Sequence, residues 1–156
     1  MNGRQEIARL RSKLDATFKR AGLIGPDPEL LSDFAKYLCV LVCGYVEQAV
    51  VELLMEHSRR NGAPTLQRFV EARTSRLTNL NCEILRQVLG NFDPAWGDDI
   101  AKLLVDDTKD ALNSVVSLRN NIAHGESVGL TYQRIVDYYG RIKPVVDRVA
   151  DLCVPI

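Results

Sequence analysis

Residues 38–54 read LCVLVCGYVEQAVVELL, and this stretch decides the fold of the chain. A helix formed by it is apolar on every face at its centre, and such a helix belongs inside a bundle. Turn sequences flank it, with Gly25-Pro26-Asp27-Pro28 before it and Asn61-Gly62-Ala63-Pro64 after it. We therefore predict one long, buried central helix from about Glu29 to Arg60.

The rest of the chain also shows helical spacing of apolar residues, and no stretch alternates as a half-buried strand does. Gly22 and Gly90 are expected to end two helices, and Thr131 is expected to cap the last one. The predicted helices cover residues 2–21, 29–60, about 66–76, 81–89, 96–124 with a break near Asp106-Asp107, and 132 onward. This pattern predicts an all-α, antiparallel helical bundle that forms one domain over residues 1–156.

The composition is that of an ordinary water-soluble protein. Lys+Arg and Asp+Glu both number 20, so no net charge indicates a nucleic-acid or membrane partner, although a local basic groove could still bind RNA. We see no signal peptide, and the longest run without charge is too short to span a bilayer. The four cysteines are interpreted as buried apolar residues in a reducing cytoplasm, and no residues have the spacing of a metal site.

One charged residue interrupts the apolar face of the fifth predicted helix, which covers residues 96–124. Arg119 projects from the middle of a stripe formed by Leu112, Val115 and Ile122. A buried guanidinium needs a carboxylate or a phosphate, and Glu47 is the lone charge between Lys36 and Glu52 on the central helix. We expect a bidentate Glu47–Arg119 pair. On these grounds alone, it could equally be a structural salt bridge without a function.

His124 follows Arg119 by five residues, and Gly125 is placed to stop the helix. Asn120 and His124 share a helix face, whereas Arg119 points about 140° away from His124. The two would not face each other in one protomer unless the helix loosens at Gly125. A two-fold dimer is another solution, with both motif helices meeting at one cleft. Alternatively, His124 simply interacts with the last carbonyls of its helix.

The segment Arg119-Asn120-Asn121-Ile122-Ala123-His124-Gly125 resembles the R-N-x-I-A-H-G form of the R-x-x-x-x-H motif of HEPN domains. The similarity extends weakly over the long helix with Gly44-Tyr45-Val46-Glu47 and over the closing helix. It implies a HEPN-type bundle, a homodimer, and a metal-independent endoribonuclease of toxin or defence type that needs no cofactor. A cognate antitoxin or defence-system protein is an implied partner, and DNA is not an expected substrate.

The resemblance also implies roles for matching residues. His124 would move the proton of the ribose 2′-hydroxyl or of the leaving oxygen, and Arg119 would stabilise the charge on the scissile phosphate. Asn120 would orient the histidine or bind the phosphate. Glu126 departs from relatives that carry a modified tyrosine two residues beyond the histidine, so regulation by that route is not expected here.

Other polar and aromatic residues carry weaker hypotheses. His57 is interpreted as a solvated surface residue. The arginines of the middle section would form a phosphate-binding surface only if they lie beside the motif. They are Arg59, Arg60, Arg68, Arg73, Arg76 and Arg86. Two alternatives to an enzyme remain open: a non-catalytic HEPN module that dimerises or binds a nucleotide or protein, and a purely structural helical subunit.

Overall fold

The computed structural model describes residues 2–156 and contains only helices in that range. The all-α bundle predicted from the sequence is confirmed. The helices are α1 (Gly3–Ala21), α2 (Pro28–Asn61), α3 (Pro64–Thr74), α4 (Cys82–Phe92), α5 (Pro94–Leu103), α6 (Asp106–Ala123) and α7 (Tyr132–Cys153).

Helix α2 forms the centre of the bundle and has the predicted limits. Asp27 caps it by accepting hydrogen bonds from the backbone N–H groups of Glu29 and Leu30. Most of its apolar side chains are buried, but one narrow face is open: Tyr37 is 53% exposed and Val40 is 39% exposed. We predicted that α2 is buried on every side, and this prediction is wrong for the face that carries Tyr37 and Val40.

Helix α2 is also long and apolar enough to cross a membrane, with a mean hydropathy of 1.8 in its most apolar window. More than half of that window, 56%, is buried against the rest of the protein. Neighbouring helices of the bundle therefore cover more than half of the most apolar part of α2.

Helices α1 and α7 cover α2 on one side. Gly3 of α1 packs against Glu56, and Arg11 donates a hydrogen bond of 3.0 Å to the hydroxyl of Tyr45. These contacts make α1 antiparallel to α2. At the same level, Tyr139 of α7 stacks on Phe18 with ring centroids 4.6 Å apart. The N-terminal helix is thereby joined to both long helices of the core.

In the middle of the chain, the structure contradicts one predicted helix end and confirms one predicted break. Helix α4 does not stop at Gly90 but continues to Phe92. Gly90 instead lies against Gly97 of α5, where an added Cβ on Gly97 would come within 3.1 Å of the Gly90 Cα. The glycine therefore serves a close helix crossing and not a helix end. The predicted break in the motif helix is present at Leu104-Val105, and Asp106 has a φ of +51°.

His57 is not the solvated residue that its polar neighbours suggested. Its ring lies edge-on to Trp96, with centroids 4.8 Å apart, and its Nδ1 is 3.0 Å from the carbonyl oxygen of Cys153. The side chain is partly buried because α5 and the end of α7 both pack on this part of α2. His57 thus connects three helices.

Candidate functional site

The last turn of α6 carries the motif out of the bundle. Val115 and Val116 are buried, Ile122 is partly buried, and Ala123 and His124 are exposed. Gly125 has a φ of +74°, in the left-handed region that favours glycine. Its N–H donates to the Ile122 carbonyl at 3.0 Å, and the Glu126 N–H donates to the Asn121 carbonyl at 2.9 Å. This pair of bonds is a Schellman motif, and the predicted helix stop at Gly125 is confirmed.

Arg119 contacts Glu47, as expected from the two lone charges. Arg119 Nη2 is 3.3 Å from Glu47 Oε1, and the exposed fractions of the two side chains are 28% and 15%. The contact differs from the prediction in two respects: it uses one oxygen rather than two, and it lies at the rim of the core. The rim position arises because α6 leaves the bundle just beyond this residue.

Three more contacts orient the Arg119 guanidinium. Nη1 donates to the side-chain oxygens of Asn79 and Asn120 at 3.3 Å and 3.4 Å, and Nη2 donates to the hydroxyl of Thr78 at 3.5 Å. These bonds are long, and only Glu47 among the acceptors carries a charge. The guanidinium is thus oriented by its own protomer while more than a quarter of the side chain stays exposed.

Thr78 and Asn79 were missed by the sequence reasoning. They lie in the polar segment between α3 and α4, some forty residues before the motif, so no helical spacing relates them to Arg119. One signal was available at Asn79, because asparagine tolerates the left-handed backbone conformation and this residue has a φ of +55°. That conformation belongs to the loop that comes up to Arg119.

His124 stands apart from this network. Within residues 2–156 its side chain makes no hydrogen bond, and it is exposed at the end of α6. The His124 N–H still donates to the Asn120 carbonyl at 3.1 Å, so the last turn keeps its helical register and does not loosen. Arg119 and His124 therefore remain on different faces of one helix. Asn120, between them, contacts the arginine rather than the histidine.

Cys43 lies beside the Glu47–Arg119 pair. Burial, followed by the nearby carboxylate of Glu47, raises the pKa of Cys43 to about 11. The thiol is therefore protonated at neutral pH and is not a nucleophile for this site. Among residues 2–156, no three His, Cys, Asp or Glu side chains come together in a way that would bind a metal ion.

Comparison with known proteins adds one finding. A family model described as RiboL-PSP-HEPN matches residues 4–154, which is nearly the whole chain. No curated protein and no solved structure gives a significant match. The matched range includes Glu47, Arg119, Asn120 and His124.

Proposed function

The chain belongs to the RiboL-PSP-HEPN family of HEPN domains, and from this we propose that it is a metal-independent endoribonuclease of toxin or defence type. The observation that carries the proposal is the presence of an oriented, partly exposed Arg119 and an exposed His124 at the end of one helix. A guanidinium that can bind a phosphate and an imidazole that can transfer a proton are the two groups that this type of RNA cleavage uses.

In the proposed reaction, the nucleophile comes from the RNA itself. His124 accepts the proton of the ribose 2′-hydroxyl, whose oxygen attacks the adjacent phosphorus, and water protonates the departing 5′-oxygen; in the other arrangement, water accepts the first proton and His124 donates the second. The P–O5′ bond breaks as the new P–O2′ bond forms, which leaves a 2′,3′-cyclic phosphate and a 5′-hydroxyl. Arg119 stabilises the negative charge that grows on the phosphate oxygens. DNA, which lacks the 2′-hydroxyl, is not cleaved.

We propose that the active site forms between two copies of the chain. The regular last turn of α6 keeps Arg119 and His124 on different faces, so one protomer does not bring them together. A two-fold axis near the end of α6 would place the histidine of one copy beside the arginine of the other. Asn120 would then either position Arg119, which it already contacts, or bind the phosphate.

The exposed face of α2 supports this dimer. Tyr37 and Val40 are exposed there, and Gly44 lies on the same face with no atom within 4 Å of a Cβ added to it. Gly44 and Val51 are helical neighbours of Glu47, so the face borders the ion pair. A glycine in a helix interior costs stability, and close contact with the backbone of a second copy of this chain would offset that cost.

The direct test is cleavage of single-stranded RNA in the presence of a metal chelator. We expect the wild type to cut RNA to cyclic-phosphate ends, and we expect His124→Ala and Arg119→Ala each to lower the rate by about 100-fold or more. Arg119→Lys is the matched variant, since it keeps the charge but not the forked donors. A folded, dimeric wild type that cuts no RNA would refute the proposal.

Mixing two inactive variants tests the composite site. If each site takes Arg119 from one copy and His124 from the other, Arg119→Ala and His124→Ala chains should recover activity after subunit exchange. About a quarter of the wild-type rate is expected, because half the dimers are mixed and each mixed dimer keeps one of two sites. If mass spectrometry demonstrates subunit exchange and activity still does not recover, the site is not shared between copies.

The alternative is a non-catalytic HEPN module that binds a protein or nucleotide. The observation that favours it is the network around Arg119, whose contacts within its own protomer are also those of a structural salt bridge. Expression in a host cell separates the two: toxicity that His124→Ala abolishes supports the enzyme.

The proposed setting is the cytoplasm, where the four buried cysteines stay reduced and an antitoxin or defence-system partner would be present.

A further inference from the structure

A groove between α3 and α4 has no part in the site described so far. Its volume is 920 Å³, and it is lined by Phe69, Arg73, Arg76, Leu77 and Phe92, among others. It is open along its length to solvent, and the lining residues of the described chain include two arginines and no carboxylate. In a protein with equal numbers of acidic and basic residues, such a groove concentrates positive charge locally.

The arginines of the middle section divide into two groups. Arg59 and Arg60 both pair with Glu56, and Arg86 pairs with Glu83. By contrast, the arginines of α3 and its C-terminal end, Arg68, Arg73 and Arg76, make no ion pair within residues 2–156. Two of these three line the groove. Their charges are therefore not neutralised by the protein itself.

The aromatic residues of the groove are unusually accessible. Phe69 is 63% exposed, and the Arg73 guanidinium lies 5.9 Å from the centroid of its ring. Phe92 is 36% exposed and is backed by Trp96, whose ring is nearly parallel to it at 6.2 Å. Trp96 is in turn held by His57. The α3 wall thus has the exposed ring of Phe69 beside the Arg73 cation. The α4 wall has the ring of Phe92, which Trp96 supports.

The groove is next to the proposed active site along the chain. Leu77 lines the groove, and the next two residues, Thr78 and Asn79, are the ones that contact the Arg119 guanidinium. A strand bound against Arg73 and Arg76 would therefore lie within a few residues of the loop that orients Arg119. Exposed rings and unpaired arginines are features of single-stranded nucleic-acid sites.

We propose that the α3–α4 groove binds a single-stranded segment of the RNA substrate, with bases stacking on Phe69 and Phe92 and phosphates contacting Arg73 and Arg76. A duplex does not fit this description, because its bases stack on one another and are not available to the rings. The inference rests on the proposed ribonuclease function, and it adds the surface and the residues that hold the strand away from the cleavage point.

The experiment measures RNA binding separately from RNA cleavage. In a His124→Ala background, the affinity for a fluorescent single-stranded RNA of about 12 nucleotides is measured by anisotropy. We expect Phe69→Ala to weaken binding by roughly 5- to 100-fold and Phe69→Trp to restore it, because stacking depends on the ring. Arg73→Ala and Arg76→Ala should each lower the slope of log affinity against log salt by about 0.7.

Two variants on the same helix are matched controls. Leu66 is 59% exposed and Arg68 makes no ion pair, but neither residue lines the groove, so Leu66→Ala and Arg68→Ala should bind RNA like the His124→Ala parent. All substituted residues are exposed, and circular dichroism and thermal unfolding should show an unchanged fold. With His124 intact, the groove variants should lose activity on long RNA in proportion to their loss of binding, whereas Leu66→Ala and Arg68→Ala should keep it.

The outcomes separate this inference from the proposed function. If the wild type cleaves RNA and Phe69→Ala binds long RNA as tightly as Leu66→Ala does, the groove is not the RNA site, whereas the ribonuclease stands. If the protein neither binds nor cleaves RNA, both proposals are wrong. If the groove variants instead lose an acidic protein partner without any change in RNA binding, the occupant is a protein and the inference is overturned.

Discussion

Gly125 ends α6 because it can take a positive φ that other L-residues adopt only with strain. Its two neighbouring backbone hydrogen bonds satisfy carbonyls that would otherwise have no partner at the end of the helix. The same turn sets where the His124 side chain leaves the protein surface. A residue with no side chain is therefore part of the positioning of the proposed active site.

Gly125→Ala should destabilise the protein by about 1–2 kcal/mol, because alanine is forced into the left-handed region at a φ of +74°. Urea unfolding followed by circular dichroism measures this change. Gly129→Ala is the matched control, since that glycine lies in the following loop without a positive φ and with no atom near an added Cβ. Equal stability of the two variants would contradict the explanation.

Arg119 shows how much a single position depends on residues far away in the chain. Its charge and the lone carboxylate at Glu47 were enough to predict that the two would meet. The number of oxygens in the contact, the position at the rim and the contribution of Asn79 were not predictable, because they depend on where α6 leaves the bundle and on the loop before α4. The catalytic roles of Arg119, His124 and Asn120 stay predictions.

Among the elements, α4 and α5 form a hairpin whose crossing depends on two glycines. A Cβ on Gly97 would lie 3.1 Å from both the Arg86 carbonyl oxygen and the Gly90 Cα. Both neighbours are backbone atoms, which cannot rotate away as a side chain can. The two helices must separate to admit any side chain at this position, and Trp96, which supports Phe92, would shift with them.

Gly97→Ala should therefore cost about 1–3 kcal/mol, the usual penalty for overpacking. Gly140→Ala is a contrasting control on α7, where an added Cβ meets no atom within 4 Å and helix propensity should give a gain of about 0.5–1 kcal/mol. Thermal unfolding of both variants measures the difference. If Gly97→Ala proved as stable as the wild type, α4 and α5 would not be in the close contact described.

Helix α3 illustrates what a helical pattern leaves undecided. Leu66, Phe69 and Val70 predict a helix correctly, and the natural expectation for such residues is that they face the core. Two of the three are largely exposed, since α3 packs mainly against the end of α2 and leaves its other side to solvent. The α3–α4 groove exists because this side of α3 faces solvent rather than the core.

For the whole molecule, stability should depend on pH below the ordinary range of carboxyl groups. The pKa of Glu56 is lowered from 4.5 because Arg59, and then Arg60, donate hydrogen bonds to it. Arg148 lowers the pKa of Asp99 in the same way. A carboxyl group whose pKa is lower in the folded state than in the unfolded state stabilises the fold at pH values above its unfolded-state pKa. This stabilisation is lost as the pH falls through the folded-state pKa.

We therefore expect the free energy of unfolding to be nearly constant from about pH 6 to pH 7 and to decrease below about pH 4.5. Glu56→Gln should be less stable at neutral pH and should show a smaller decrease in acid, because it has no carboxylate to protonate. Urea unfolding across this pH range measures both effects. Glu126→Gln, at an exposed residue without an ion pair, is the control and should follow the wild type.

The proposed dimer makes a prediction at the same scale. Tyr37→Glu places a charge on the open face of α2, and we expect it to weaken dimerisation by about 10-fold or more and to lower RNA cleavage in proportion. Analytical ultracentrifugation measures the first effect. Leu23→Glu is the matched control, because Leu23 is 79% exposed and lies outside this face. If the Tyr37→Glu dimer is as stable as the wild-type dimer, the interface does not include this face of α2.

The helices and most of their ends follow from local patterns in the chain, the end of α4 being an exception. Continuous apolarity predicts α2, and the two lone charges predict their pairing. The Thr131 cap and the Gly125 stop are local hydrogen-bonding signals. Each of these depends on residues that are neighbours along one helix, or on a charge that has few possible partners.

Which surfaces remain open and which loops reach the site depends instead on how the helices pack against one another. The exposed faces of α2 and α3, the contact of Asn79 with Arg119, the helix crossing at Gly90 and the burial of His57 all depend on the angles at which distant helices pack. Those angles result from the fit of many side chains together, and no local pattern in the chain records them.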